Sequence, residues 1–212
     1  MTKVILVRHG QTLWNLEMKY QGHCDVALTE KGVEQARLAA KRLAGEDISA
    51  VYASDLSRAF KTAECIAGEH NLPVTAIPGL REINFGEWEG LTFEGINSQW
   101  TDGMSKLFSH PDEMVIPGGE TFREVKERAT SALEKLVADH PNQTIVVVSH
   151  GGTIRTLLCA ILNIHLNNLW NIKQDNTAIN MLEYYDERVM VALVNDVHHL
   201  RNQSDDAATI KK

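Results

Sequence analysis

Positive charge is scarce in this 212-residue chain: 21 lysines and arginines stand against 28 aspartates and glutamates, a formal net charge of −7. That balance disfavours a general affinity for nucleic acid or for an anionic membrane, since both want a basic face. If the ligand is an anion, the positive charge that binds it must be gathered locally. Cysteine is scarce as well. Cys24, Cys65 and Cys159 form an odd, scattered set with no Cys-x-x-Cys pair, which excludes a disulfide framework and a zinc site and suits free thiols in a reducing cytoplasm. Long apolar runs are missing too. Only four apolar residues, Val4 to Val7, precede Arg8, too few for a signal-peptide core, and no later run reaches transmembrane length. The expectation is a soluble cytoplasmic protein. Two chemical signatures are also missing. There is no Gly-x-Ser-x-Gly elbow and no Gly-x-x-x-x-Gly-Lys-Ser/Thr phosphate loop. No Asp/His cluster has metal-ligand spacing, and the adjacent His198 and His199 have no carboxylates to support a metal.

What is present is an ordinary globular composition, 43% hydrophobic and 23% charged, enough for a real core. Residues 3–7 are apolar and rich in β-branched side chains, the pattern of a buried strand. A polar loop follows over 9–28. Thr29 suits the N-cap of a helix ending at Gly45, with Ala36, Ala39, Ala40 and Leu43 on one face. A second strand is predicted over 48–53 and a helix over about 55–70, capped by Ser54 or Asp55. A short third strand covers 74–77. The pattern then breaks down until Gly119, and a loop-and-short-helix insert is expected at about 86–119. Thr121 and Glu124 fit a capping box, opening a helix that stops at Pro141. Residues 144–149 are the strongest strand, followed by a helix after Gly151-Gly152. Strands over 178–184 and 189–194 pair as a hairpin. The polar residues 201–212 read as a tail.

This order implies a single α/β domain over 1–200, a three-layer α/β/α sandwich whose sheet is mostly parallel with helices on both faces. Such sheets place ligands beyond the carboxyl ends of their strands. His9 follows the first strand, Arg58 the second, Glu82 the third, and His150 closes the fourth. The edge they share would hold Arg8, His9, Arg58, Glu82 and His150. Two guanidinium forks match phosphate oxygens. Two histidines can serve as nucleophile and as proton or charge donor, and one carboxyl can move a proton. The set suits metal-free phosphoryl transfer.

The run Leu6-Val7-Arg8-His9-Gly10-Gln11-Thr12 with Trp14-Asn15 resembles the Arg-His-Gly signature of the histidine phosphatase superfamily, which includes the cofactor-dependent phosphoglycerate mutases. The likeness continues through residues 54–59, 80–90, 117–120 and 148–152, in order and over nearly the whole chain. It implies that His9 is the phosphorylated nucleophile. Arg8, Arg58 and His150 would form the phosphate pocket, with Asn15 as a further donor. Glu82, rather than Glu87 or Glu89, would be the general acid and then the base for water. Backbone amides near Gly151 add donors, and Gln21 and Gly22 sit where the first loop faces substrate. His9 must then be neutral at its attacking nitrogen, with a backbone carbonyl fixing its tautomer. His150 must be cationic or able to donate, and Glu82 needs a raised pKa.

Within that family, mutases carry a longer basic insert. Here the stretch 82–117 offers only Lys106, besides His110. Net hydrolysis is therefore expected, without a cofactor or a metal, on a small-molecule phosphate ester. Phe85, Trp88, Leu91, Phe93, Met104, Leu107 and Phe108 suggest a partly apolar or neutral leaving group. The runs 80–90 and 193–200 resemble the bacterial α-ribazole phosphatases and broad-specificity phosphatases, which points to α-ribazole 5′-phosphate as a substrate. The alternatives are a cofactor-dependent phosphoglycerate mutase and a non-catalytic phosphate-binding scaffold on the same fold. The sequence is compatible with a homodimer. His23, His70, His110, His140 and His165 read as surface or cap residues, and Trp170 as core.

Overall fold

Alternation along the first strand decides the layering. In a computed structural model, which describes residues 1–201, β1 (Thr2–Arg8) buries Val4 and Leu6 on one face and Ile5 and Val7 on the other. A strand apolar on both faces must be covered on both. The other strands are β2 (Ile48–Ala53), β3 (Val74–Ala76), β4 (Thr144–Ser149), β5 (Ile179–Tyr184) and β6 (Val189–Asp196). They form one sheet in the order β3-β2-β4-β1-β5-β6. The four on the β3 side are parallel, and β5 and β6 are antiparallel, as the hairpin pattern implied.

Helices α2 (Glu30–Leu43) and α3 (Ser57–His70) cover the Ile5/Val7 face through Ala40, Leu43, Ala59, Ala63 and Ile66. Helices α6 (Phe122–Asp139) and α7 (Gly151–Ile161) cover the Val4/Leu6 face through Ala129, Leu133, Ile154 and Leu157. The α/β/α sandwich is thus formed. Among the described residues, no helix is long and apolar enough to cross a membrane.

Two local expectations need correction, and one gains detail. The loop over 9–28 contains a short helix, α1 (Leu13–Leu16), closed by a capping box between Thr12 and Asn15. Helix α3 is not capped by Ser54 or Asp55. Its N-cap, Leu56, makes no side-chain bond. Instead Asp25 accepts from the Ser57 amide at 2.8 Å, while Asp55 is drawn away to an ion pair with Arg81. Tertiary partners here replace the local cap. Finally, the segment expected as an insert builds a core of its own. It holds α4 (Phe93–Gln99) and α5 (Gly103–Ser109), packed with Trp88, Ile96, Met104 and Leu107 against Phe122 and Cys159. Of the expected tail over 201–212, residues 202–212 lie outside the described residues.

Candidate active site

The parallel pairing of β1 and β4 puts two histidines side by side. Arg8 lies opposite Ser149 in register, and the His9 amide donates to the Ser149 carbonyl at 3.0 Å. The next residues, His9 and His150, therefore leave the sheet together, with ring centroids 5.2 Å apart. Both rings are buried. His9 Nδ1 lies 2.7 Å from the Gly10 carbonyl, which can only accept, so Nδ1 carries the proton and Nε2 keeps its lone pair. Burial, with Arg58 and Arg8 beside it, holds His9 well below the ordinary histidine pKa. His150 is held down likewise, by burial first and then by Arg58, His9 and Arg8. Both imidazoles are neutral near pH 7.

Arg58 enters from the first turn of α3 and is fully buried. Its Nη1 donates to the Cys24 carbonyl at 2.8 Å and its Nη2 to Gly22 at 2.7 Å. Gly22 has φ +52°, and a Cβ there would meet a Glu89 oxygen at 1.9 Å. Only glycine fits this left-handed, crowded position. Arg8 Nη1 donates to the Gln174 carbonyl at 2.6 Å, and burial followed by Arg155 lowers its pKa to about 10. Neither arginine forms an ion pair among the described residues. Eight buried side-chain nitrogens and oxygens of the described residues have no hydrogen-bond partner, and four of them cluster here: Arg8 Nε, Arg58 Nε and both ring nitrogens of His150. Buried donors left this way are costly unless a ligand meets them.

A cavity of about 140 Å³ opens onto this cluster. Arg8, His9, Asn15, Gln21, Gly22, Arg58, Glu82 and Gly151 all line it. His150 does not; it packs behind His9. Asn15 Oδ1 accepts from the Thr12 amide and from Asn176 Nδ2, and Gln21 Oε1 accepts from Thr12 Oγ1. With both oxygens engaged, each side-chain NH₂ remains to donate. Glu82 is seated on the start of α7. Its carboxylate accepts from the Gly152 and Thr153 amides at 3.0 Å each. Its own carbonyl accepts from Arg128 Nη2 and from His23 Nε2, both at 2.8 Å. Arg128 also grips Gly79 and Arg81 and is paired with Glu120, which in turn accepts from the Asn84 amide. The loop that carries Glu82 is clamped on both sides.

Four side chains beyond the expected set shape the cavity. Lys19, Tyr20, Arg155 and Trp170 line it. Arg155 is four residues after Gly151 on one helix, hence on the same face, a signal available in the sequence. Trp170 carries none, because it arrives from a distant 3₁₀ turn. His23, expected at the surface or in a cap, holds the Glu82 carbonyl instead. The expected apolar lining is also corrected. Of that group only Phe85 reaches the cavity. Trp88, Met104 and Leu107 are fully buried in the core of the insert, because that segment must satisfy its own hydrophobic packing first. Among the described residues, no three His, Cys, Asp or Glu side chains gather as metal ligands. A larger open groove, about 810 Å³ along α6, contains none of the expected residues.

Comparison with known proteins gives the family and the fold. Residues 4–197 match the histidine phosphatase superfamily (branch 1). The chain is 34% identical over 200 residues to phosphoserine phosphatase 1 of Hydrogenobacter thermophilus, covering 94% of this chain and 95% of that one. A phosphoserine phosphatase of Entamoeba histolytica, solved with 3-phosphoglyceric acid, superposes with a TM-score of 0.86 at 35% identity, covering 95% and 100% of the two chains. A putative α-ribazole-5′-P phosphatase of Escherichia coli K-12 superposes with a TM-score of 0.84 at 27% identity, over 92% and 96%.

Proposed function

The chain belongs to the histidine phosphatase superfamily and is a phosphatase, and we propose that it hydrolyses small phosphate monoesters through a phosphohistidine formed on His9. The observation that carries the reading is the cluster of unpartnered buried nitrogens on Arg8, Arg58 and His150 around a neutral His9. A phosphate monoester brings close to two negative charges, and its loose transfer state spreads charge over the equatorial oxygens. Fixed donors aimed at those oxygens do most of the work.

His9 Nε2 attacks phosphorus; the N–P bond forms as the bond to the ester oxygen breaks. Glu82, in its protonated form, gives its proton to the departing alkoxide, and the alcohol leaves. Water then attacks phosphorus while Glu82 takes a proton from it. The N–P bond breaks, inorganic phosphate is released, and both side chains return to their starting states. The Gly10 carbonyl holds the Nδ1 proton throughout, which offsets the charge that develops on the phosphorylated ring. Arg8 and Arg58 neutralise the phosphoryl oxygens, with the Asn15 and Gln21 amides as further donors. A second acceptor in place of water would need cations on the insert, and Lys106 does not line the cavity. That favours hydrolysis over mutase exchange.

Two leaving alcohols compete. The resemblance over 80–90 and 193–200 favours α-ribazole, supported by a structural relative at 27% identity. Serine is supported by a relative at 34% identity over nearly the full chain, and we favour it. The chemistry is tested by incubating enzyme with a ³²P-labelled ester and quenching. A phosphoenzyme stable in base and labile in acid is expected, and it disappears in His9→Ala with turnover falling by about a hundredfold or more. Label that persists in His9→Ala would sink the proposal.

A further inference from the structure

The phosphoryl group does not use all the cations at this cavity. Arg58 and His9 form its buried floor, with His150 packed behind them. Arg155, Lys19, Tyr20 and Trp170 form a half-buried wall closer to solvent. Arg155 is anchored on two sides. Its Nε donates to the Ile172 carbonyl at 2.8 Å, and its guanidinium lies 5.3 Å from the centre of the Trp170 ring. Trp170 is itself pinned, donating from Nε1 to the Leu107 carbonyl at 2.7 Å. Arg155 Nη1 reaches over Gly151, where a Cβ would stand 3.0 Å from it and 3.3 Å from Arg8 Nε. The fork is therefore held beside the phosphate floor, and it forms no ion pair among the described residues. Burial lowers the pKa of Arg155, while the nearby Glu82 and Asp175 raise it; neither carboxylate pairs directly with the fork, which stands beside Arg8 and is placed to receive a further anion.

We propose that Arg155, plated on Trp170, receives a carboxylate on the alcohol part of the substrate, so that the preferred substrates are small phosphorylated carboxylic acids. The inference rests on the phosphatase reading above and adds its substrate class. One planar fork matches one carboxylate in two parallel hydrogen bonds. Lys19 supports the same end of the site from the opposite loop. Its present partner, Glu17 at 2.9 Å, is a half-exposed surface pair of the weak kind that a substrate carboxylate can displace. The partly apolar leaving group expected from the insert is replaced by an anionic one, because of those side chains only Phe85 lines the cavity.

Two ester pairs differ only in the carboxylate. They are phosphoserine against phosphoethanolamine, and 3-phosphoglycerate against glycerol 3-phosphate. The wild type is expected to favour the carboxylated member of each pair by at least about tenfold in kcat/KM, as a site built around a polar partner rejects the analogue lacking it. In Arg155→Met, which keeps the apolar stem and removes the fork, both ratios collapse toward one. Arg155→Lys, which keeps the charge, restores part of them. Each ratio is taken within one protein preparation, so a reduced folded fraction cancels. A wild-type ratio near one overturns the proposal. So does an Arg155→Met variant that loses the same factor on both members, since the fork would then serve the phosphate or the fold. Phosphohistidine formation from p-nitrophenyl phosphate is read separately. If the wild type forms it and the ratios are flat, only the carboxylate site falls; if it forms none, the underlying phosphatase reading falls with it.

Discussion

His9 and His150 stand against each other in a buried, cationic surrounding, and both are held well below the ordinary histidine pKa, chiefly by burial. In the unfolded chain each would titrate near the reference value of about 6.5. Below that pH the unfolded state binds protons that the folded state refuses, so stability is present above it and is lost as pH falls. Urea midpoints are expected to drop between about pH 7.5 and 5.5, and the slope to flatten in His150→Gln; a profile identical in the two proteins would contradict this account. The His9 environment was legible in the sequence, since its neutrality and its carbonyl-fixed tautomer follow from what a nucleophile needs. The depressed state of His150 was not. Its proposed positive character depends on a bound dianion, which would reverse the influence of the surrounding arginines.

At the scale of elements, the site is organised by the first turn of α7. Gly151 lets Arg8 and Arg155 pass over the backbone, and the Gly152 and Thr153 amides hold the Glu82 carboxylate. A Cβ at Gly152 would lie 2.6 Å from Glu82 Oε1. Gly152→Ala therefore separates stability from activity. Alanine should favour the helix by about 0.5–1 kcal/mol, while pushing Glu82 off its seat. A misplacement near 1 Å can cost about a hundredfold in rate. The expected outcome is an unchanged or higher urea midpoint with a kcat lower by tenfold or more; normal kcat would show that the seat of Glu82 is not needed. The elements themselves were readable, because β-branched apolar runs and the Thr121 capping box are local signals. The cap of α3 was not, because it comes from Asp25 in another loop.

For the whole molecule, a net charge of −7 coexists with three arginines at one small cavity. Their mutual repulsion is a cost of the free fold, and an anion relieves it. Inorganic phosphate, the product of the proposed reaction, is expected to raise the unfolding free energy by about 2.7 kcal/mol at a hundred times its Kd. Differential scanning calorimetry with and without phosphate measures this, and Arg58→Met should abolish most of the shift. A shift retained in that variant would place the anion elsewhere.

The strands, the layer order, the Arg-His-Gly run and the convergence of His9, Arg58, Glu82 and His150 on one sheet edge were determined by the sequence alone. All but Glu82 depend on periodicity, or on which residue follows a strand, and both are properties of short stretches of chain; Glu82 was picked out from Glu87 and Glu89 by the family resemblance. Only the tertiary structure decided that His150 sits behind His9, that His23 and Arg128 clamp Glu82, that Trp88, Met104 and Leu107 go into the core of the insert, and that Trp170 lines the cavity beside Arg155. These relations join segments far apart in sequence, and they are set by packing and by the pairing of buried polar groups, which no local pattern encodes.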